Sequence, residues 1–450
     1  MTRMKATPFI YRFIARIEVK AVTPLAIGTG KKDIITDALV ATDCNNLPYI
    51  PATSIAGILR HELDEQVANN IFGNQTEQVN HGSHIMFTDA KMIGENGYAI
   101  DGLCSIDFTR PYYQPYHYLP IRQHNAMNDK GVTKTGAKFD NQVVIVGTRF
   151  CFEVEMVAKT SDQEAAFKDV LSKLSLRHLR IGGGTRKGYG EIEVCKCLYK
   201  KYNLTNSADL QAYIDKSSSL SAPFAGETIH LQAAQTNNGW DYYEVNLKAD
   251  DFFIFGSGFG DDDVDDTPLT EQINGRQTSQ TIIPASSIKG AISHRVAYYY
   301  NKLNSFFIDD TTVGVPEVGC KNTAVARLFG EDTNGKSGNI TRGNVIISDV
   351  ILEQLPTKVF KHVKIDRFTG GAFAGALYDE KVNYGGEFQL KILVNKQAFA
   401  DDTIRIAFEK ALVDLTTGIL PLGGMTNRGH GCFSGTINRN GQPLNQIEIS

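Results

Sequence analysis

Hydrophobic and polar residues change rhythm along this chain in an order that occurs twice. Residues 9–22 alternate with a period of two, which predicts a strand. From Ser54 the apolar residues Ile55, Ile58, Leu59, Leu63, Val67 and Ile71 share one face of a helix. Residues 85–90 and 149–157 read as strands, with a long polar and aromatic excursion between them. Ser161 and Glu164 have the spacing of a capping box ahead of a helix through Phe167, Val170, Leu171 and Leu174. A strand over 190–194 closes the set. The order is βαββαβ, a ferredoxin-like arrangement in the α+β class.

The second half predicts the same elements. A strand over 242–249 leads to a helix from Ser286, strands over 344–351 and 387–394, a helix over 406–415 and a strand from Cys432. Residues 201–240 are rich in Ser, Asn, Gln and Thr and read as a packed connector, with short helical and strand pieces at 208–214 and 227–232. The predicted units are therefore 1–200 and 241–450. Landmarks recur in step with the elements. Ile50-Pro51-Ala52-Thr53-Ser54-Ile55-Ala56-Gly57 is matched by Ile283-Pro284-Ala285-Ser286-Ser287-Ile288-Lys289-Gly290, and Phe72-Gly73 by Phe329-Gly330. A glycine-rich basic loop ends each unit, at 182–190 and 423–431. These three motifs, with the helix that follows the first, recur in one order at domain-sized separation and mark a tandem repeat.

Composition narrows the class. A chain of 450 residues with 42% hydrophobic content can bury two cores. No apolar run reaches the length of a membrane span, and the first eight residues lack a signal-peptide stretch, so a cytoplasmic chain without membrane contact is expected. Seven scattered cysteines offer no zinc spacing or redox pair. The net charge of −4 is not that of a general nucleic-acid binder, but it is unevenly spread. Residues 1–200 hold 24 Lys/Arg against 21 Asp/Glu, and the rest 22 against 29, five of the acids between Asp261 and Asp266.

Candidate chemistry follows from the repeated features. In the glycine loops, backbone amides can approach a phosphate, with charge from Arg186, Lys187 and Arg428; a tight helix-to-strand turn is the alternative. Ser54 and Ser287 stand where helices begin, so they can hold a phosphate or simply cap. Each unit carries a long loop before its first helix (28–51 and 256–284) and another before its third strand (101–147 and 355–385). Asp33, Asp37, Asp265 and Asp266 lie on the first pair and can bind a divalent cation or form turns. His124 and His362, at matching places on the second pair, are candidates for proton transfer. Tyr112, Tyr113, Tyr116, Tyr118, Phe368 and Phe373 can wedge against bases or pack within the domain.

Taken as a set, these motifs resemble the RAMP superfamily, and more narrowly the backbone subunits of type III CRISPR effector complexes, in the double form of type III-D systems. The resemblance implies two ferredoxin-like (RRM-like) domains with thumb hairpins that hold crRNA. It further implies target RNA and other effector subunits as partners, with RNA contacts at Ser54, Ser287, Lys289, Arg186, Lys187, Arg428, His124 and His362. Loop aspartates would support cleavage of target RNA with Mg²⁺ or another divalent cation. The family position falls on Asp37 and Asp266, with Asp33 and Asp265 beside them. The chain departs from the pattern at Ala56, where the family has lysine, and at Asp37, which lacks the Asp-x-Pro context of Asp266. A scaffold that never cuts and a crRNA-processing ribonuclease are the alternatives.

Overall fold

In the computed structural model, residues 8–30, 36–75, 80–127, 133–232, 239–306, 319–331 and 341–444 are described. The first unit begins with strand β1 (Tyr11–Ala21), then helices α1 (Ala52–His61) and α2 (Glu65–Phe72), and β2 (Ile85–Phe87). A hairpin of β3 (Ile121–Met127) and β4 (Thr133–Gln142) follows, then β5 (Arg149–Ala158), α3 (Glu164–Ser172) and β6 (Ile192–Asn203). Helix α4 (Ser207–Ile214) lies in the connector. The second unit has β7 (Trp240–Ala249), α5 (Ala285–Leu303), α6 (Thr323–Phe329) and β8 (Val345–Ile347). Its own hairpin is β9 (Thr357–Ile365) with β10 (Ala372–Tyr384), followed by β11 (Glu387–Asn395), α7 (Asp402–Thr416) and β12 (Phe433–Arg439).

The two main sheets share one topology. In the first, β6, β1, β5 and β2 lie side by side; in the second, β12, β7, β11 and β8 do, and every pairing is antiparallel. The helices cover one face of each sheet because alternate strand residues and one helix stripe are apolar. Phe13, Phe150, Phe152 and Phe167 close the first core; Tyr243, Phe253, Phe408 and Phe433 close the second. Each such side chain contributes roughly 1.5–3 kcal/mol by leaving water.

Several expected boundaries move for local reasons. The single helix from Ser54 starts at Ala52 and breaks over Glu62–Asp64, where the Glu62 carboxylate binds His178 at 2.8 Å. The break shifts the helical phase, so Ala68 and Ile71 turn inward and Val67 is left 38% exposed. The capping box lies one residue earlier than expected, on Thr160 and Gln163, and opens a short 3-10 turn before α3. The strand expected at 190–194 extends to Asn203 because β1 pairs with it throughout. The run 344–351 splits at Ser348-Asp349 into β8 and a short strand, Val350–Leu352. Within the connector, α4 packs on Ile14 and Tyr202 through Ala212 and Tyr213, and Glu227–Thr228 adds to the edge of β6. Both excursions before the third strands form two-stranded hairpins, the thumb insertions expected from the resemblance.

The units meet along a polar seam. Arg122 of β3 binds Glu271 and reaches Asp349 at 2.5 Å, and Arg180 donates to Ser348 at 3.1 Å. Trp240 stacks on His178 with centroids 4.8 Å apart.

Candidate nucleic-acid interface

The glycine loops are tight turns first. Gly183 donates its amide to Ala26 at 2.7 Å and Gly190 to Pro24 at 2.9 Å; in the second unit Gly424 and Gly431 donate to Ile254 and Phe252. At Gly184, φ is +66° and an added Cβ would sit 2.5 Å from the Tyr189 ring. Amides spent on the fold are not available to a phosphate. The side chains carry the charge instead.

Three cations converge where the first loop meets the second unit. Arg186 donates from Nε to the Gly343 carbonyl at 2.7 Å, and its guanidinium lies 6.0 Å from the Trp240 ring centroid. Lys187 lies 4.1 Å over Phe139, and Lys289 reaches the Phe329 carbonyl at 3.4 Å. None is ion-paired among the described residues. Burial, and then Arg342 and Arg180, pull Arg186 down to about 10. Burial lowers Lys187, and burial followed by Lys187 and Arg186 lowers Lys289. Half-buried like charges without carboxylates favour an anion between them. Arg428, the counterpart on the second loop, is exposed and lies 5.4 Å from the Tyr378 centroid.

The serines do not cap. Pro51 and Pro284 hold the cap positions without side-chain bonds, which leaves Ser54 and Ser287 in the first turn, half-buried and exposed respectively. The first helical amides are already taken. Asp89 accepts that of Ala52 at 2.9 Å and Asp349 that of Ala285 at 2.7 Å.

The carboxylates pair differently from expectation. Bridges Gly28–Val40 and Gly256–Pro268 put the two loops in register, and Ala38–Asn141 matches Asp266–Glu380. Asp37 therefore corresponds to Asp265, not Asp266. Both accept an amide from the hairpin, Asp37 from Asp140 at 3.1 Å and Asp265 from Asp379 at 2.9 Å, and both are exposed. Asp266 stands where the first unit has Ala38, beside Glu380, which is 0% exposed. Oδ1 of Asp266 and Oε2 of Glu380 are buried without hydrogen-bond partners. Burial, and then the Glu380 carboxylate, push the pKa of the Asp266 carboxyl above the usual carboxylate range. Asp33 lies outside the described residues.

No group of three His, Cys, Asp or Glu ligands forms among the described residues. Mg²⁺ seldom uses such a cage; it takes one or two carboxylates and completes its shell with water and substrate phosphates. The unpartnered Asp266 oxygen fits that pattern.

The histidines do fall at equivalent places: His124 pairs across its hairpin with Phe139, and His362 with Tyr378. Each stacks on that ring, at 5.0 and 4.8 Å. Their partners differ. His124 is buried and bonds the Tyr189 hydroxyl at 2.7 Å; burial, then Lys187 and Arg122, lower it to about 4. His362 bonds Glu380 at 2.7 Å and keeps 24% of its side chain exposed. Of the aromatics, Tyr112, Tyr113 and Tyr116 pack within the first unit, whereas Tyr118 is 82% and Phe368 100% exposed. Asp349 and Asp89 escaped the sequence reading, although Thr88-Asp89 and Ser348-Asp349 repeat the same strand-turn pattern.

The sequence pattern of the RAMP superfamily matches residues 18–193 and 255–434, one region per unit. The chain belongs to the RAMP superfamily. The first RAMP region begins within β1 and the second just after β7, and each contains a glycine loop, a hairpin and a helix start. No curated protein matches. Among solved structures, this RAMP chain is similar to one in "Cryo-EM structure of the Type III-B Cmr-beta bound to cognate target RNA", with 23% identity and a TM-score of 0.31. The match covers 42% of this chain and 61% of that one.

Proposed function

We propose that this tandem RAMP protein is a cytoplasmic backbone subunit of a type III CRISPR effector complex, in the double form of type III-D systems. It holds crRNA across its two units, pairs with other subunits, and cleaves complementary target RNA at loop aspartates. The observation that carries the reading is the convergence of Arg186, Lys187 and Lys289 at the unit junction without a carboxylate among them. Cations so placed suit the phosphates of an extended RNA, which passes from one unit to the next. Base pairing between guide and target supplies the sequence specificity, while the protein recognises backbone shape.

Asp266 and Asp37 would hold a divalent cation, which stabilises the charge that develops on phosphate oxygens during attack by the ribose 2′-hydroxyl. The hairpins anchor both loops: Asp140 and Asp379 donate amides to Asp37 and Asp265 and fix the loop against the thumb root. The closing test is cleavage of labelled target RNA by the complex assembled with matched crRNA, in Mg²⁺ or EDTA. Asp37→Ala and Asp266→Ala should each remove one product and leave RNA binding intact. Unchanged products in both variants would leave the chain a guide-holding scaffold. Cutting of crRNA precursor without target would make it a processing enzyme.

A further inference from the structure

The second unit has a cleft of about 410 Å³ beside its long loop. Thr267 and Pro268 of the loop form one wall, with Thr281 from the short strand Gln280–Ile283. The root of the β9–β10 hairpin, at Thr357, Lys381 and Asn383, forms the other. The volume falls within the range of small-ligand sites. Thr267 follows Asp266 directly, so an occupant lies next to the carboxylate that the cleavage reading uses.

The first unit shows the same positions when they serve packing alone. Ile121 pairs with Gln142 as Val359 pairs with Lys381, and the Leu25–Val144 bridge matches the pairing of Phe253 with Asn383. Leu119 and Val144 therefore stand where the second unit has Thr357 and Asn383. Both belong to the first core, 6% and 0% exposed. Asn383 is 1% exposed, nearly as buried as Val144, yet its Nδ2 has no hydrogen-bond partner. A buried amide donor without an acceptor is costly, and a core position gains nothing from it. An acceptor on a molecule seated in the cleft satisfies it.

The lining also selects the chemistry of that molecule. Lys381, the cation among the lining residues, is already matched by Asp261 at 2.6 Å, so the cleft does not call for a phosphate. The other polar groups are hydroxyls and carboxamides, which donate or accept, and Pro268 and Leu355 offer apolar surface to a flat ring. We propose that this cleft binds a nucleobase, presented by a single RNA strand or by a free nucleoside, and that the first unit, with Leu119 and Val144 in the matching places, does not. The site goes beyond the backbone and base-pairing contacts of the RNA reading, and a free nucleoside suffices to show it.

Saturation-transfer NMR of the purified full chain with adenosine, guanosine, cytidine and uridine tests it, with ribose as the sugar-only control. At least one nucleoside should give a saturable signal, strongest on its base protons, and ribose none. Asn383→Val with Thr357→Leu installs the first unit's residues and should weaken that binding at least about tenfold. Thr357→Leu alone, at an exposed position, narrows the cleft and decides the matter if circular dichroism shows the double variant unfolded. A short homopolymer RNA of the same base separates the sources. RNA that displaces the nucleoside makes the strand the occupant, and RNA that binds without displacing it makes the free nucleoside the occupant. RNA that fails to bind even at low salt counts against the RNA reading and leaves the cleft a nucleoside site. No saturable nucleoside signal in wild type, an equal signal from ribose, or a signal unchanged in the folded variants would overturn the proposal.

Discussion

Arg122→Ala is the substitution with the most calculable consequence. Arg122 is 6% exposed and faces two carboxylates, Glu271 and Asp349, whose side chains are 6% and 1% exposed. Burial alone would weaken its basicity, but Asp349 and Glu271 reverse that and hold the guanidinium above its ordinary value. Removing one partner of such a cluster leaves uncompensated buried charge, which costs about 3–5 kcal/mol. The loss should appear first at the seam, where Trp240, the single tryptophan, stacks on His178. Urea unfolding followed by tryptophan fluorescence should show an early transition in the variant. Burial already raises the Asp349 carboxyl, and loss of Arg122 removes its main opposing cause. An acid raised in the folded state contributes stability at low pH that is lost as pH rises through its folded value, so the variant should recover partly on acidification. Glu271→Gln and Asp349→Asn added to Arg122→Met should restore most of the loss, because a neutral cluster buries no unpaired charge. A midpoint within about 1 kcal/mol of wild type for Arg122→Ala would refute this account of the seam.

Other expectations can be checked with the same protein. His124, held at about 4 against an ordinary 6.5, binds fewer protons folded than unfolded between those values. Stability should therefore fall as pH drops from 6.5 towards 4, by up to about 3 kcal/mol, and His124→Gln should flatten the slope in urea titrations. Gly188→Ala must move Asp349 or the turn and should cost well over 2 kcal/mol, whereas Gly429→Ala meets open space and pays only for its backbone, about 1 kcal/mol. Equal thermal shifts for the two would contradict the packing. Asp266→Asn removes a like charge beside Glu380 and should stabilise the protein, by no more than about 1 kcal/mol because solvent screens the partly exposed site, and so raise the melting temperature. A lower melting temperature would show that the carboxylate has a stabilising role.

The sequence disclosed periodicity and repetition well, and pairing geometry poorly. Both βαββαβ orders were legible because sheet strands alternate and helix stripes recur every three to four residues, as in Phe167, Val170 and Leu171. Matching His124 with His362 also succeeded, since each lies opposite an aromatic in its hairpin. Asp37 and Asp266 were paired through the family resemblance, yet bridges through Val40 and Pro268 place them one residue apart. Nothing in residue type reveals a one-residue register difference. The helix from Ser54 concealed a break set by a tertiary contact, Glu62 with His178. Arg122 and its carboxylates stayed hidden for the same reason: they come together from positions 149 and 227 residues apart.

The central claim is that RNA backbone crosses the cation cluster at the unit junction. It is tested most directly by the affinity of the purified chain for crRNA across a salt series, compared with Arg186→Ala, Lys187→Ala and Lys289→Ala combined. Each lost phosphate contact should reduce the slope of log K against log salt by about 0.7 for single-stranded RNA, so the triple variant should lose roughly two units of slope and bind far more weakly. An affinity that ignores salt, or a triple variant that binds like wild type, would contradict the account.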